Sequence, residues 1–431
     1  MLRVLYFIAI SRASVYIYGP EALREELHHK HRSTHIPSSL GNFGNPRYGT
    51  TIIGGLFWPG PEEELGCGAL SYIDYNQEHE DASSPILLMK RGSCSYVQKV
   101  RHAQDIGAAA VLIINTSNDV ESTVMNDDGT AGNLYIPAFL ISKSDGETIL
   151  RYLKSENSNQ VTMKLTFEIH HSGKTVDYQI WMSPEQTSIR AFLHDFASAA
   201  NKMTDKVAKF TPHYRLTYCY ECKQSEFTTN SPDCFGGGRY CAPDPDGPGS
   251  MTGRDVMYED LRQLCIFKEY KDNTNSKWWE YVYNLYDTCP DFEITIECAK
   301  SAMDLSGISH DLVHNCIRNS FERKDHGLAK NTLLAAERSA LNDIGLAFFP
   351  AILINNQTFR GDIEVEEVKG AICAGFKEAP DICDEWFDEK SKGSESKWGI
   401  GVKTIAFCLL GILFLLCIVV TWSTRRMRSD L

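Results

Sequence analysis

The chain has 431 residues, enough for two domains of ordinary size. Its 43% hydrophobic and 23% charged content is that of globular protein, which excludes a disordered or collagen-like polymer. A net charge of -13 argues against nucleic-acid binding, which needs a basic face to displace phosphate counterions, and its His residues form no HExxH motif, so no metal or other cofactor is expected.

Taken in chain order, Met1-Leu2-Arg3, the apolar stretch Val4 to Ile10 and Ser11-Arg12-Ala13 read as a short signal peptide over residues 1–13, cut after Ala13. A first domain is expected over 41–170. Strand-like runs recur there around Thr51 to Gly54, Pro85 to Met89, Ala108 to Ile114 and Tyr135 to Ile141. Tyr96 to Ile106 reads as a helix with Val97 and Val100 on one face and Gly107 ending it. Ser144 with Glu147 reads as a capping box that opens a helix running to about Leu153. Strands alternating with two short helices predict a compact, β-rich α/β domain.

A second domain is expected over 175–386. Val176 to Trp181 reads as a strand, Thr187 to Ala200 as a helix and His213 to Tyr218 as a second strand. A Cys-rich insert follows, with helices around Asp255 to Tyr270, Lys277 to Thr288, Ile294 to Met303 and Asp311 to Asn319. Phe348 to Ile354, a turn at Asn355-Asn356, Thr358 to Gly361 and a helix from Glu364 to Phe376 close the domain. That closing order is similar to a thioredoxin-like fold, with Pro350 at the cis-proline position and the helical block as an insertion. Trp278 and Trp279, among Tyr281, Tyr283 and Tyr286, read as helix core. A polar linker at 387–403 then leads to the apolar run 404–422, long enough for a transmembrane helix, with Trp398 and Trp422 at interfacial positions and a tail at 423–431.

The chain has fourteen Cys; Cys408 and Cys417 lie in the apolar run. The other twelve, Cys67, Cys94, Cys219, Cys222, Cys234, Cys241, Cys265, Cys289, Cys298, Cys316, Cys373 and Cys383, fit disulfides made in an oxidising compartment. Asn115-Thr116-Ser117 and Asn356-Gln357-Thr358 are glycosylation sequons. Leader, disulfides and sequons together place the N-terminal part in a lumen and leave 423–431 cytosolic, a single-pass type I arrangement.

Catalysis finds little support in the residues. A thioredoxin-like redox enzyme needs Cys-x-x-Cys at its first strand-to-helix junction. That junction reads Met182-Ser183-Pro184-Glu185-Gln186-Thr187. Cys219-Tyr220-Glu221-Cys222 has the spacing but follows the second strand, where no helix start is expected, and reads as two disulfide halves. No GxSxG elbow is present. The chain reads as a non-enzyme, with a membrane-anchored thiol–disulfide oxidoreductase or chaperone as the alternative.

Lys90-Arg91-Gly92-Ser93-Cys94, a helix, Gly107 to Val111 and Ile136-Pro137-Ala138 together resemble a protease-associated (PA) domain. Gly41-Asn42-Phe43-Gly44, Gly238 to Pro245 (GRYCAPDP), Gly253 to Val256, Leu261 to Cys265 and Phe359-Arg360-Gly361 extend this to the vacuolar sorting receptor family, over about 40–385. The resemblance implies an α+β lumenal region: a PA domain, then a thioredoxin-like domain with a helical, disulfide-rich insertion. It implies a receptor of the Golgi, prevacuolar or vacuolar membrane that binds soluble vacuolar or lysosomal cargo proteins through a peptide segment. It places cargo at Arg91, with Asn126, Asp127, Asn42 and Phe43 nearby, and implies a Cys67–Cys94 bridge. Two features depart from that family: no EGF-like repeats lie between Cys383 and the apolar run, and 423–431 holds no tyrosine for trafficking adaptors.

Overall fold

The computed structural model describes residues 12–71, 84–155, 161–171, 173–204, 207–224, 230–272, 275–289, 294–344, 346 and 349–386. In the first half the chain forms β1 (Arg12–Gly19), α1 (Glu21–His31), β2 (Ser38–Leu40), β3 (Thr51–Phe57), β4 (Ile86–Lys90), α2 (Tyr96–Asp105), β5 (Ala110–Ile114), β6 (Ala138–Ile141), α3 (Lys143–Leu153) and β7 (Thr162–Glu168). The strands make one sheet in the order β1-β7-β3-β4-β5-β6-β2. Strands β3 to β6 run parallel. Parallel strands are covered on both faces, which is why β4 and β5 are almost wholly buried and read as the apolar runs ILLMK and AVLII.

Side chains alternate across a strand, so Val111 and Ile113 face α2, where they pack with Val97, Val100 and Ala103. Ile114 faces the other way, toward α3. There Gly146 is required: a Cβ on it would sit 2.4 and 2.5 Å from Ile114 Cγ2 and Cγ1. The cap of α3 is Ser142, whose Oγ accepts from Asp145 N at 3.0 Å, and not the expected Ser144. Asp145 is fully buried and meets Lys30 Nζ at 2.6 Å and His31 Nε2 at 2.8 Å, which docks α1 on α3. Burial pushes its carboxyl up, but hydrogen bonds from Lys30, Ser142 and His31 outweigh burial and hold it below the ordinary range.

The sheet reaches further upstream than Gly41. β1 pairs antiparallel with β7 from Arg12↔Glu168 onward, so the expected cut after Ala13 falls inside this strand, after its second residue. The rest of the expected leader, 1–11, lies outside the described residues.

The second half forms β8 (Val176–Met182), α4 (Thr187–Lys202), β9 (Ala208–Tyr214), α5 (Tyr220–Gln224), β10 (Cys234–Phe235), β11 (Tyr240–Cys241), α6 (Gly253–Glu269), α7 (Ser276–Thr288), α8 (Ile296–Leu305), α9 (His310–Ser320), α10 (Thr332–Ile344), β12 (Ala351–Ile354), β13 (Gln357–Thr358) and α11 (Val365–Ala374). Its sheet has the order β13-β12-β8-β9, with β8 and β9 parallel and β12 antiparallel to β8. The Phe349–Pro350 bond that leads into β12 is cis. This is a thioredoxin-like core with helices α6 to α10 inserted.

The second strand is Ala208–Tyr214, not His213 to Tyr218. Ala208, Phe210, Pro212 and Tyr214 alternate inward, and Pro212 is tolerated because β9 is an edge strand. Trp278 and Trp279 are buried, their rings 4.9 and 4.7 Å from Phe210. The compact unit holding both sheets ends at Glu378, and Ala379 onward forms a second unit of which 379–386 are described. Among the described residues no helix is long and apolar enough to cross a membrane, and the expected span at 404–422 lies outside them.

Gly146→Ala should destabilise the protein by about 1–3 kcal/mol through overpacking against Ile114, outweighing alanine's better helix propensity. Urea unfolding checks this; a variant as stable as the wild type would show that Ile114 can turn aside freely.

Candidate functional site

Arg91, the leading expected binding residue, stands where β4 ends. The chain turns there through Gly92 (φ 139°) and Ser93 (φ 65°), and Cys94 N donates to Gly92 O at 2.8 Å. Cys94 is bridged to Cys67 (S–S 2.06 Å). Lys99, on α2, reaches under this turn with no exposed surface. Its Nζ donates to Gly92 O at 2.7 Å and to Leu65 O, and lies 3.3 and 3.5 Å from the sulfurs of Cys94 and Cys67. Burial pushes its pKa down to about 8, so the ammonium persists at neutral pH.

With its Gly92 carbonyl drawn inward, the turn sends Arg91 outward. Arg91 N donates to Ile114 O at 2.9 Å, and Nη1 donates to Asn115 Oδ1 at 2.8 Å. The guanidinium carbon lies 5.5 Å from the centre of the Tyr96 ring. The side chain is exposed but steadied on two sides. A planar fork in that state suits a carboxylate or a backbone carbonyl of a peptide.

The loop after Met125 stands beside it. Asn42 pairs with Asn126, and Asn42 N donates to Met125 O at 2.8 Å. Asp127 Oδ1 accepts from Gly129 N and Ala131 N at 2.8 and 3.0 Å, so it shapes its own loop. Asp128 makes the link to the turn. A hydrogen bond from Ser95, then one from Thr130, hold its carboxyl below the ordinary range. Ser95 is also the N-cap of α2. Sequence reasoning placed the loop Met125 to Asp128 here but singled out Asn126 and Asp127 rather than Asp128, because the contact with Ser95 spans the fold.

Two expectations are corrected here. Phe43 does not line a groove: it is fully buried among Met125, Leu134 and Ile136 in the core. Asn115 is not open to a glycan. It is 2% exposed, and its Nδ2 donates to Ser117 Oγ at 3.3 Å and Asp119 O at 2.7 Å while Oδ1 holds Arg91. Asn356, in the β12–β13 turn at φ 62°, is exposed.

The second domain abuts this region. Tyr48 Oη donates to Arg360 O at 3.0 Å and accepts from Arg360 N at 2.7 Å, while Asp362 N donates to Gly44 O at 3.2 Å. Burial, then the nearby charges of Glu364, Asp127 and Glu367, push Asp362 up to about 7. The loop carrying Asp127 is thus felt across the domain junction.

At the thioredoxin-type junction between β8 and α4, Ser183 hydrogen-bonds Glu185, and Gln186 Nε2 donates to Phe349 O at 3.4 Å beside the cis proline. Burial raises the Glu185 carboxyl. Cysteine is absent from this junction. Cys219–Cys222, Cys234–Cys241, Cys265–Cys316 and Cys289–Cys298 are bridged, and Cys373 and Cys383 are also in disulfides. The expectation that Cys219-x-x-Cys222 has no helix start is corrected: the one-turn helix α5 begins at Tyr220. No group that could hold a metal ion occurs among the described residues.

Residues 176–373 match the family model of the vacuolar sorting receptor thioredoxin-like domain, and residues 55–149 match that of the PA domain. The chain is 31% identical to vacuolar-sorting receptor 1 of Pisum sativum over 80% of its own length and 57% of that protein's. It is 28% identical to vacuolar-sorting receptor 4 of Arabidopsis thaliana, over 87% of this chain and 61% of that one. Vacuolar-sorting receptor 6 of Arabidopsis thaliana is 30% identical over 87% of this chain and 60% of that one. The chain therefore spans about six tenths of the length of the curated relatives it matches.

Lys99→Met should loosen the turn while moving global stability little, since relief from burying an ammonium offsets the lost hydrogen bonds. The Arg91 and Cys94 amides should exchange about tenfold faster or more, as local opening becomes easier; unchanged protection would mean that the disulfide alone holds the turn. Asp362 supplies a pH test. An unfolded Asp ionises near ~4, so from there to about 7 the folded chain keeps a proton that the unfolded chain has lost. Stability contributed by that proton is full below the unfolded pKa and is lost as pH rises toward 7. Asp362→Asn should flatten this decline and melt higher than wild type at pH 7.5, and parallel melting curves for the two proteins across that range would remove Asp362 as its source.

Proposed function

On the premise that the chain is a relative of the vacuolar-sorting receptors, carrying their thioredoxin-like domain behind a PA domain, we propose that it is a receptor for soluble protein cargo in the endomembrane lumen. It sorts that cargo to a vacuole or lysosome-like compartment. The observation that carries this reading is the exposed Arg91 fork, oriented by Asn115 and Tyr96 beside the loop of Asn126 to Asp128. A cargo peptide lies along this edge, with a carboxylate or carbonyl on Arg91 and its backbone against Asn42 and Asn126. Asp128 acts by fixing the loop.

The relatives are named as receptors, and the junction where a thioredoxin-type dithiol would stand holds Ser183 to Gln186. Both support a receptor whose thioredoxin-type junction holds molecules rather than transforming them. The leader at 1–13, the span at 404–422, the cytosolic tail at 423–431 and glycosylation at Asn356 belong to the same proposal, and make the chain a type I protein of the Golgi, prevacuolar or vacuolar membrane.

The lumenal part should recover soluble vacuolar proteins in a pull-down and bind peptides from them in solution. Losing a charged hydrogen bond of about 1.5–3 kcal/mol, Arg91→Ala should weaken peptide binding roughly 10- to 100-fold. Arg91→Lys should restore only part of it, because an ammonium lacks the planar fork. Affinity that survives Arg91→Ala and Asn126→Ala unchanged would move the cargo site elsewhere.

A further inference from the structure

Cargo binding at the PA edge leaves one feature of the insertion unexplained. Cys219-Tyr220-Glu221-Cys222 closes a bridge over a sequence separation of 3, against 51 for Cys265–Cys316 and 27 for Cys67–Cys94. A cross-link stabilises mainly by restricting the unfolded chain, and that restriction shrinks with the loop it closes. Fold stability is a weak reason for this bond.

Its two sulfurs also differ in access. Cys222 is 4% exposed, whereas Cys219 is partly open, so a thiolate arriving from solvent meets Cys219 first. Cys222 N donates to Cys219 Sγ at 3.0 Å, a contact that favours negative charge on that sulfur once the bond opens. Exposed Tyr218 and Tyr220 flank Cys219, their rings 5.6 Å apart, and the Arg338 guanidinium stands 4.5 Å over the Tyr218 ring. Rigid aromatic surface beside a fixed cation is suited to docking an extended polypeptide. Behind the bridge, Cys219 N donates to Gly238 O at 3.0 Å. Gly238 (φ +98°) packs so closely that a Cβ on it would meet Cys222 Cβ at 2.5 Å. The backbone under the sulfurs is thereby held independently of the bond between them.

We propose that Cys219–Cys222 is a thiol–disulfide exchange site for a cysteine-containing polypeptide docked on Tyr218 and Tyr220. A thiolate of the polypeptide attacks Cys219 Sγ. A mixed disulfide forms, the Cys219–Cys222 bond breaks, and its electron pair leaves on Cys222 Sγ, which takes up a proton. A second thiolate of the same polypeptide then attacks the polypeptide sulfur of the mixed disulfide and releases Cys219 as thiolate. The polypeptide dithiol is oxidised by two electrons to a disulfide, and the pair Cys219/Cys222 is reduced to two thiols. A low-molecular-weight disulfide returns the pair to the bridged state.

The test titrates the full chain with reduced and oxidised glutathione, alkylates the exposed thiols and maps them by mass spectrometry. Cys219 and Cys222 should open at a reducing ratio at least about tenfold milder than Cys67–Cys94 or Cys265–Cys316 require. Cys222→Ser, mixed with an oxidised two-cysteine peptide, should accumulate a mixed disulfide at Cys219, and Cys219→Ser should accumulate none. Opening in step with the other bridges, or no adduct on folded Cys222→Ser, overturns the assignment. The wild-type titration decides alone should that variant misfold. Arg91→Ala should leave the titration unmoved, which separates this site from the cargo site.

Discussion

A buried ammonium held by carbonyls, with no carboxylate partner among the described residues, shapes the surface on which the functional reading rests. Lys99 would be costly to enclose anywhere that could not satisfy its N–H groups. Here the turn after β4 supplies the carbonyl of Gly92, where Gly92 and Ser93 adopt positive φ, and the segment before Cys67 supplies that of Leu65. The same twist that turns the Gly92 carbonyl inward turns Arg91 outward. The Cys67–Cys94 bridge closes over the ammonium, Ser95 caps α2, and Asp128 is tied to Ser95. A packed helix, a turn and a remote loop are in this way held to one geometry, so an exposed arginine is presented in one orientation rather than swept through many.

The second domain uses its redox-type scaffold differently. The junction that would carry a dithiol is filled by a buried Ser183 and a half-buried Glu185. Behind it, burial first, then Glu185, Glu259 and Glu337, push the Asp260 carboxyl well above the ordinary range. Glu259 accepts from Tyr281 Oη at 2.9 Å and Gln263 Nε2 at 3.0 Å, and Tyr214 Oη donates to Gln263 Oε1 at 2.8 Å. Glu259, Gln263, Tyr281 and Tyr214 are spent on one another inside the domain, whereas both Asp260 oxygens are buried with no hydrogen-bond partner among the described residues. What faces the PA domain is the Phe359 to Asp362 segment after β13, which clasps Tyr48 and Gly44 through backbone groups. A close backbone contact of this kind makes the two domains sense one another's charges, as Asp362 senses Asp127.

Patterns with a short physical range were legible from residues alone. Fully apolar runs such as ILLMK and AVLII announce parallel strands, and the 3.6-residue spacing of Val97 and Val100 announces α2. Motifs at the RGSC turn and GRYCAPDP carried the resemblance, because their cysteines, glycines and prolines answer to local geometry. Strands β1 and β7 were not legible in this way. They lie at the two ends of the first domain, and only pairing with each other explains either. Strand β9 was displaced for a related reason: Pro212 argues against a strand until the strand is known to be an edge.

The amino-acid sequence by itself determined the two-domain plan, the oxidised cysteines and the setting of Arg91 in the RGSC turn, since each follows from residue type and spacing. Tertiary structure alone decided which residues are available. It buried Phe43 and Asn115, put Lys99 under the turn, chose Asp128 over Asp127 as the partner of Ser95, and set a helix start beside Cys219. The reason is one of range: chain chemistry acts over a few neighbours, whereas exposure and partnership are settled only when distant segments compete for the same space.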